Sequence, residues 1–182
     1  MAVVKANYTK SKGAAKANIR YNEHRPGKDG ERIWRTLFNE DGRISREEAY
    51  QLIDNAEPGS VFWRIKISPD PVNEDTRRDL SMQEVTEQTM NTLQEQLGKS
   101  VSYVAAIHQD HAPHRHIHVL ALFPKLSKQE FQRLPNILIQ GATLAALSQR
   151  TELDLIQGHR QREQEREGEQ WERSQEKGGV WQ

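Results

Sequence analysis

The chain has 182 residues, of which 35% are hydrophobic and 29% charged, and this suits one domain of ordinary size with a lean core. It contains no cysteine, no apolar segment long enough to span a membrane and no apolar N-terminal run, so we predict a cytoplasmic protein without a membrane partner. Its 26 basic and 26 acidic residues balance, so the net charge gives no sign of nucleic-acid binding.

The charges are nevertheless unevenly distributed along the chain. Residues 1–35 carry nine Lys and Arg against three acids, a net charge of +6, whereas residues 152–182 carry eight acids and five bases, a net charge of −3. Surface bases either remain solvated or follow a phosphate backbone, and charge alone favours neither interpretation.

The basic N-terminal region is predicted to contain two strands. Val3–Thr9 has modest strand character and leads into a flexible basic loop at residues 10–16. A second strand is predicted at residues 18–24, where alternation places Ile19 and Tyr21 on one face. From the residues alone, a strand tyrosine such as Tyr21 is a half-buried packing residue.

The middle of the chain alternates helix and strand signals. Ser45 with Glu48, and Ser81 with Glu84, form capping boxes that predict helices to about residue 56 and to Gly98. Between them, residues 61–67 alternate as a strand whose polar face is basic.

The chemistry is concentrated between residues 105 and 123, which hold five of the seven histidines. Alternating patterns at residues 101–108 and 116–123 predict two strands of a hairpin. In it Ile107 lies opposite Ile117, because this register keeps both apolar faces on the core side. His108 then faces His116, and the small Ala106 faces His118.

Three converging imidazoles predict a metal site with an open coordination position, since neutral imidazole is a common metal ligand and no thiolate is present. The alternative is that the histidines are surface polar residues. Asp110 follows at the strand end, where it would fix the tautomer of an imidazole or act as a base. Arg115, in the same loop, is a possible phosphate contact.

After the hairpin, Ser127 with Glu130 begins a predicted helical extension. We divide the chain into a domain at residues 1–125, a helical extension at 126–157 and a charged helix or disordered tail at 158–182. The predicted fold class is α+β, with a mainly antiparallel central sheet, helices on one face and the histidine site on the other.

The motif His108-x-Asp110 followed by His116-Ile117-His118-Val119 resembles the third motif of conjugative relaxases, in the plasmid mobilisation and T-DNA border endonuclease branch. Residues 15–25 are similar to the first motif of that branch, and Ser68-Pro-Asp-Pro resembles the second. The resemblance covers roughly residues 1–125.

The resemblance implies strand-specific DNA nicking at a transfer origin by tyrosine transesterification. It makes Tyr21 the nucleophile, with Tyr8 in reserve, and His108, His116 and His118 the ligands of a divalent ion, Mg²⁺ or Mn²⁺. Ser68 would contact DNA near the cleaved phosphate. Single-stranded DNA is the implied partner, together with accessory mobilisation proteins, and the basic residues expected to follow it are Lys12, Lys16, Arg20 and Arg25.

Two other functions remain open. One is a rolling-circle replication initiator of the same endonuclease group, although such proteins usually place the tyrosine after the histidine pair and no tyrosine follows Tyr103 here. The other is a remnant of a relaxase that binds metal and single-stranded DNA without catalysis. Formation of a protein–DNA adduct separates catalysis from binding.

Overall fold

The computed structural model describes residues 1–110 and 114–178, which form one sheet and four helices. The strands are β1 (Val3–Thr9), β2 (Leu37–Asn39), β3 (Gly42–Ile44), β4 (Val61–Ser68), β5 (Ser102–His108) and β6 (His116–Phe123). The helices are α1 (Lys12–His24), α2 (Arg46–Asp54), α3 (Met82–Leu97) and α4 (Lys128–Gly178). No helix in these described ranges is long and apolar enough to cross a membrane.

The sheet is antiparallel throughout, in the order β1-β4-β6-β5-β2-β3. The predicted α+β class with an antiparallel central sheet is therefore confirmed. The predicted hairpin register is also confirmed, because Ile107 pairs with Ile117 and His108 with His116. The short β2–β3 hairpin, which turns at residues 40–41, was not visible in the sequence pattern.

Helices cover both faces of the sheet rather than one. The larger apolar core lies between one face and helices α3 and α4, and it includes Trp63, Tyr103 and Val119. A second core lies on the histidine face, where α1 and α2 pack over apolar residues such as Phe62 and Leu120. The additional helix layer is explained by the apolar residues on this face, which would otherwise be exposed to water.

The predicted second strand at residues 18–24 is wrong, because these residues belong to α1. Ser11 caps this helix by accepting a hydrogen bond from the backbone N–H of Ala14 at 3.2 Å. The helix then buries Ala15, Ile19 and Asn22, whose spacing of four and three residues is that of one helical face. The loop predicted at residues 10–16 is likewise mostly helix.

The predicted capping boxes begin three of the four helices. In α2, Ser45 and Glu48 make both reciprocal side-chain to backbone bonds, and Ser127 and Glu130 do the same at the start of α4. Gly98 ends α3 in the left-handed conformation, with φ of 61°, which a residue with a side chain adopts at a cost.

Helix α4 contains both the predicted extension and most of the predicted tail. Its first half buries Leu134, Leu138 and Ala142 in the larger core, so this part belongs to the same packed unit as the sheet. Residues 159–173 are exposed. Residues 179–182 of the predicted tail, and His111 of the hairpin loop, lie outside the described residues.

The packing of α1 gives a stability prediction. Ile19 is fully buried, so Ile19→Ala should lower the free energy of unfolding by about 3 kcal/mol, which urea denaturation measures. Tyr21 is 46% exposed, so Tyr21→Ala should cost about 1 kcal/mol or less. A strand would bury both side chains on one face, and equal losses from the two substitutions would therefore contradict the helix.

Candidate metal centre

Three imidazoles meet on one face of the β5–β6 hairpin. His108 lies opposite His116, and Ala106 lies opposite His118, so that a small side chain leaves room for the third ring. The ring centroids are 4.3 to 5.4 Å apart, and one nitrogen of each ring lies within 4.8 Å of those of the other two. We call these three residues the histidine triad.

Hydrogen bonds to backbone carbonyls define the tautomers of two rings. His108 Nε2 lies 2.9 Å from the carbonyl oxygen of Asn22, and His116 Nδ1 lies 3.3 Å from that of His114. A carbonyl only accepts, so both nitrogens carry a proton, and the lone pairs remain on His108 Nδ1 and His116 Nε2. These two atoms and His118 Nε2 are buried without a hydrogen-bond partner among the described residues.

Burial lowers the pKa of each histidine of the triad below its ordinary value of 6.5, because a buried imidazolium loses its hydration. The pKa of His108 falls to about 4, with the positive charge of Arg35 adding to the effect of burial. The pKa of His118 falls to about 3, where the other two histidines add to burial. The rings are therefore neutral at pH 7, and each keeps the lone pair that a metal ion requires.

This arrangement fits a metal ion. A buried nitrogen without a partner is costly, by about 1–3 kcal/mol for a typical polar group, and three such atoms converge here. In His108 and His116 the other ring nitrogen is held by a carbonyl group, as is usual for ligating histidines. Three nitrogen ligands leave coordination positions for water or substrate, as in catalytic sites rather than closed structural ones.

Asp110 was predicted to accept a hydrogen bond from an imidazole of the site. The Nε2–H of His108 is instead bound by the carbonyl oxygen of Asn22. Instead, Asp110 accepts hydrogen bonds from Arg35 Nε at 3.3 Å and Nη2 at 2.5 Å. Arg35 is buried and also donates to the carbonyl of Arg25 at 2.8 Å. Asp110 therefore links the end of β5 to the loop that follows α1.

Tyr21 lies beside the triad, although on a helix and not on a strand. Its ring centroid is 6.3 Å from that of His118, in an edge-to-face arrangement. The guanidinium carbon of Arg25, one turn further along the chain, lies 5.6 Å from the centroid of the tyrosine ring. The structure thus brings the predicted nucleophile to the predicted metal ligands.

Tyr8 is on the other face of the sheet. It pairs with Trp63 across β1 and β4, and its ring contacts the rings of Trp63 and Phe131 at centroid distances of 5.5 and 4.9 Å. Alternation places it on the α4 side, away from the triad. The reserve nucleophile is therefore an aromatic packing residue, and it provides a matched control for Tyr21.

A row of positive charge runs from the triad to the edge of the sheet. Lys5 on β1 pairs with Lys66 on β4, and Lys66 pairs with His118 on β6. Burial lowers the pKa of Lys66, and the positive charges of Lys5 and Arg25 lower it further. Together with Arg64 and Tyr21, these residues line a groove of about 280 Å³, and none of the described residues in its lining is acidic. We call it the tyrosine groove.

The other residues predicted to contact DNA differ in whether their side chains are already bound within the protein. Lys12 donates to the carbonyls of Asp54 and Ala56 at 2.6 and 3.2 Å, and Lys16 pairs with the carboxylate of Asp54 at 2.7 Å, so both hold the end of α2. Arg20 is exposed on α1. Ser68 ends β4 on the histidine face, one residue beyond the Ile67–Ile117 pair.

Arg115 is also engaged within the protein. It makes two hydrogen bonds to the carboxylate of Asp75, at 2.9 and 2.6 Å, and a third to the carbonyl of Leu80 at 3.1 Å. A guanidinium bound in this two-pronged way is already neutralised, so the structure gives it an internal role.

Sequence reasoning missed four residues that shape this site: Asn22, Arg35, Lys5 and Lys66. The basic polar face of residues 61–67 was a usable signal for Lys66. The contacts of the other three span between 61 and 86 positions or rest on strand pairing, and neither is readable from a single sequence. Comparison of the chain with family models, curated proteins and solved structures gave no match.

Metal binding can be tested on the triad directly. His116→Ala removes one of three convergent ligands, so isothermal titration with Mn²⁺ should show the loss of most of the affinity, by about tenfold or more. His159→Ala is the control, because His159 is exposed on α4. Equal heats of binding for the two variants would exclude the triad as the metal site.

Proposed function

We propose that this protein is a metal-dependent relaxase, which nicks one DNA strand at a transfer origin during plasmid mobilisation. One observation carries the proposal: the ring of Tyr21 lies 6.3 Å from a triad ring and lines a groove of cations without acids. A nucleophile, a metal site and a phosphate-binding surface are the parts that phosphodiester transesterification requires.

The triad would hold a divalent ion, Mg²⁺ or Mn²⁺, and imidazole ligands favour the transition metal of the two. When bound, such an ion polarises a phosphate oxygen and stabilises the charge that develops in the transition state. It fits here because three buried nitrogens converge without partners.

The residues of the chain supply the remaining steps. The phenolic oxygen of Tyr21 forms a bond to phosphorus as the bond to the 3′ oxygen breaks, which leaves Tyr21 on the 5′-phosphate and a free 3′-hydroxyl. Arg25 beside the ring opposes the negative charge of the attacking oxygen, and Lys5 and Lys66 bind neighbouring phosphates. Asp110, the first carboxylate after β5, is the proposed acceptor of the phenolic proton. The proton reaches it through water, because Arg35 binds the carboxylate directly, and the leaving 3′ oxygen takes its proton from solvent. One phosphodiester replaces another, so no nucleotide cofactor is needed.

The substrate proposed is single-stranded DNA, with accessory mobilisation proteins as partners in the cytoplasm. Extended single strands suit an open groove on a sheet, since the groove contacts backbone phosphates and leaves the bases accessible. The catalytically inactive remnant and the replication initiator are the competing functions. An adduct assay separates the first of these from the relaxase.

The nucleophile is tested by covalent capture. Labelled single-stranded origin DNA and Mn²⁺ should give a protein–DNA adduct on a denaturing gel, and Tyr21→Phe should abolish it because only the attacking oxygen is removed. Tyr8→Phe should retain the adduct, since that ring packs on the opposite face. Metal and DNA binding by wild type without any adduct would support the inactive remnant.

The path of the DNA strand over the protein surface is tested by the salt dependence of binding. If Lys5 and Lys66 each contact a phosphate, Lys5→Gln with Lys66→Gln should reduce the slope of log affinity against log salt by about 1.4 for a single strand. Lys12→Gln with Lys16→Gln should change the slope little, because those lysines bind the end of α2. Fluorescence anisotropy at several salt concentrations measures both slopes. A larger change of slope for the Lys12 and Lys16 double variant than for the Lys5 and Lys66 double variant would place the strand over α1.

A further inference from the structure

Trp34 is a largely exposed aromatic residue beside His24, the last residue of α1. Its side chain is 72% exposed, and it lies in the segment between α1 and β2. The ring packs edge-to-face against the ring of His24, with the two centroids 4.0 Å apart. A large apolar side chain that is supported on one side and open on the other is suited to contact a flat partner.

Two clefts meet at this tryptophan. The first has a volume of about 490 Å³, and its lining combines Gln109 and Asp110, which follow the candidate ligand His108, with Ile107 and Met82 from the α3 side of the sheet. The second has a volume of about 540 Å³ and extends toward the start of α2. Four residues line both clefts and form the ridge between them, namely Trp34, Arg35, Thr36 and Arg43, and its exposed aromatic and basic side chains are Trp34 and Arg43.

The ridge combines an aromatic surface with an available positive charge. Arg43 is exposed, and its guanidinium makes no hydrogen bond or ion pair with another residue in the described part of the chain. The acid in the first cleft, Asp110, is bound by Arg35. A cation beside a stacking surface is the combination that binds single-stranded nucleic acid, where bases stack and phosphates need a counter-charge.

The ridge and the tyrosine groove lie on opposite sides of the triad. His118 lines the groove, whereas the residues directly after His108 line the first cleft. We propose that Trp34 is a stacking platform for one unpaired nucleobase of a DNA strand that crosses the triad, with Arg43 binding an adjacent phosphate. This inference rests on the proposed function for the path of the strand, and it adds a base-binding residue to that path.

The experiment compares two strands of equal length, an oligothymidylate and a strand of abasic deoxyribose phosphates. Binding is measured by fluorescence anisotropy in the presence of a chelator, so that no covalent chemistry contributes. Trp34→Ala should bind oligothymidylate about tenfold more weakly, as expected for the loss of one base–aromatic stack, and should bind the abasic strand as wild type does. Trp34→Phe should recover much of the lost affinity, since it restores an aromatic face.

Trp171→Ala is the matched control, because Trp171 is also a largely exposed tryptophan, at 65%, but lies on the charged half of α4. It should bind both strands as wild type does. Equal weakening of Trp34→Ala on both strands, or no weakening on either, would overturn the platform. The outcome is independent of the adduct assay, so loss of base discrimination without any adduct would retain the platform and reject the nicking reaction.

Discussion

The site depends on one constraint, the register in which β5 pairs with β6. Tyr103, Ala105, Ile117 and Val119 point from this hairpin into the core beneath α3 and α4, and each of them is at most 2% exposed. A slip of β6 by one residue would turn Ile117 and Val119 away from the core and place His116 and His118 inside it. Burial of the apolar face therefore fixes the position of the triad, and no separate structural element is needed to hold it.

Helix α1 adds the remaining parts of the candidate site to this pair of strands. Its buried face, Ala15 and Ile19, holds the helix on the sheet, and its last turn carries both the Asn22 carbonyl and the Tyr21 ring. The carbonyl ends of a helix carry partial negative charge, so the bond to His108 makes that imidazole a better ligand. One packing interaction thus sets the tautomer of the candidate ligand His108 and the place of the proposed nucleophile Tyr21 together.

How much of this the sequence predicts depends on how local each signal is. The hairpin register followed from alternation, and the starts of α2 and α3 from their capping boxes, because these patterns lie within a few residues. The error at α1 arose because Ile19 and Tyr21 satisfy a two-residue alternation, while the competing pattern of Ser11, Ala15, Ile19 and Asn22 needs a longer window. The partners of Lys16 and Arg115 lie 38 and 40 positions away, and no local pattern could show that these charges are neutralised within the protein.

The pairing of Lys5 with Lys66 bears on function because it runs against stability. Like charges directly opposite on neighbouring strands destabilise a sheet, and burial already lowers the pKa of Lys66. Elsewhere in the described chain, several cations that reach between elements meet acids, as Arg115 meets Asp75 and Arg150 meets Asp79. An anion between the two lysines would reverse the sign of their interaction, since each would then face an opposite charge. The unfavourable lysine pair beside the histidine triad therefore fits the phosphate contacts proposed for these two lysines.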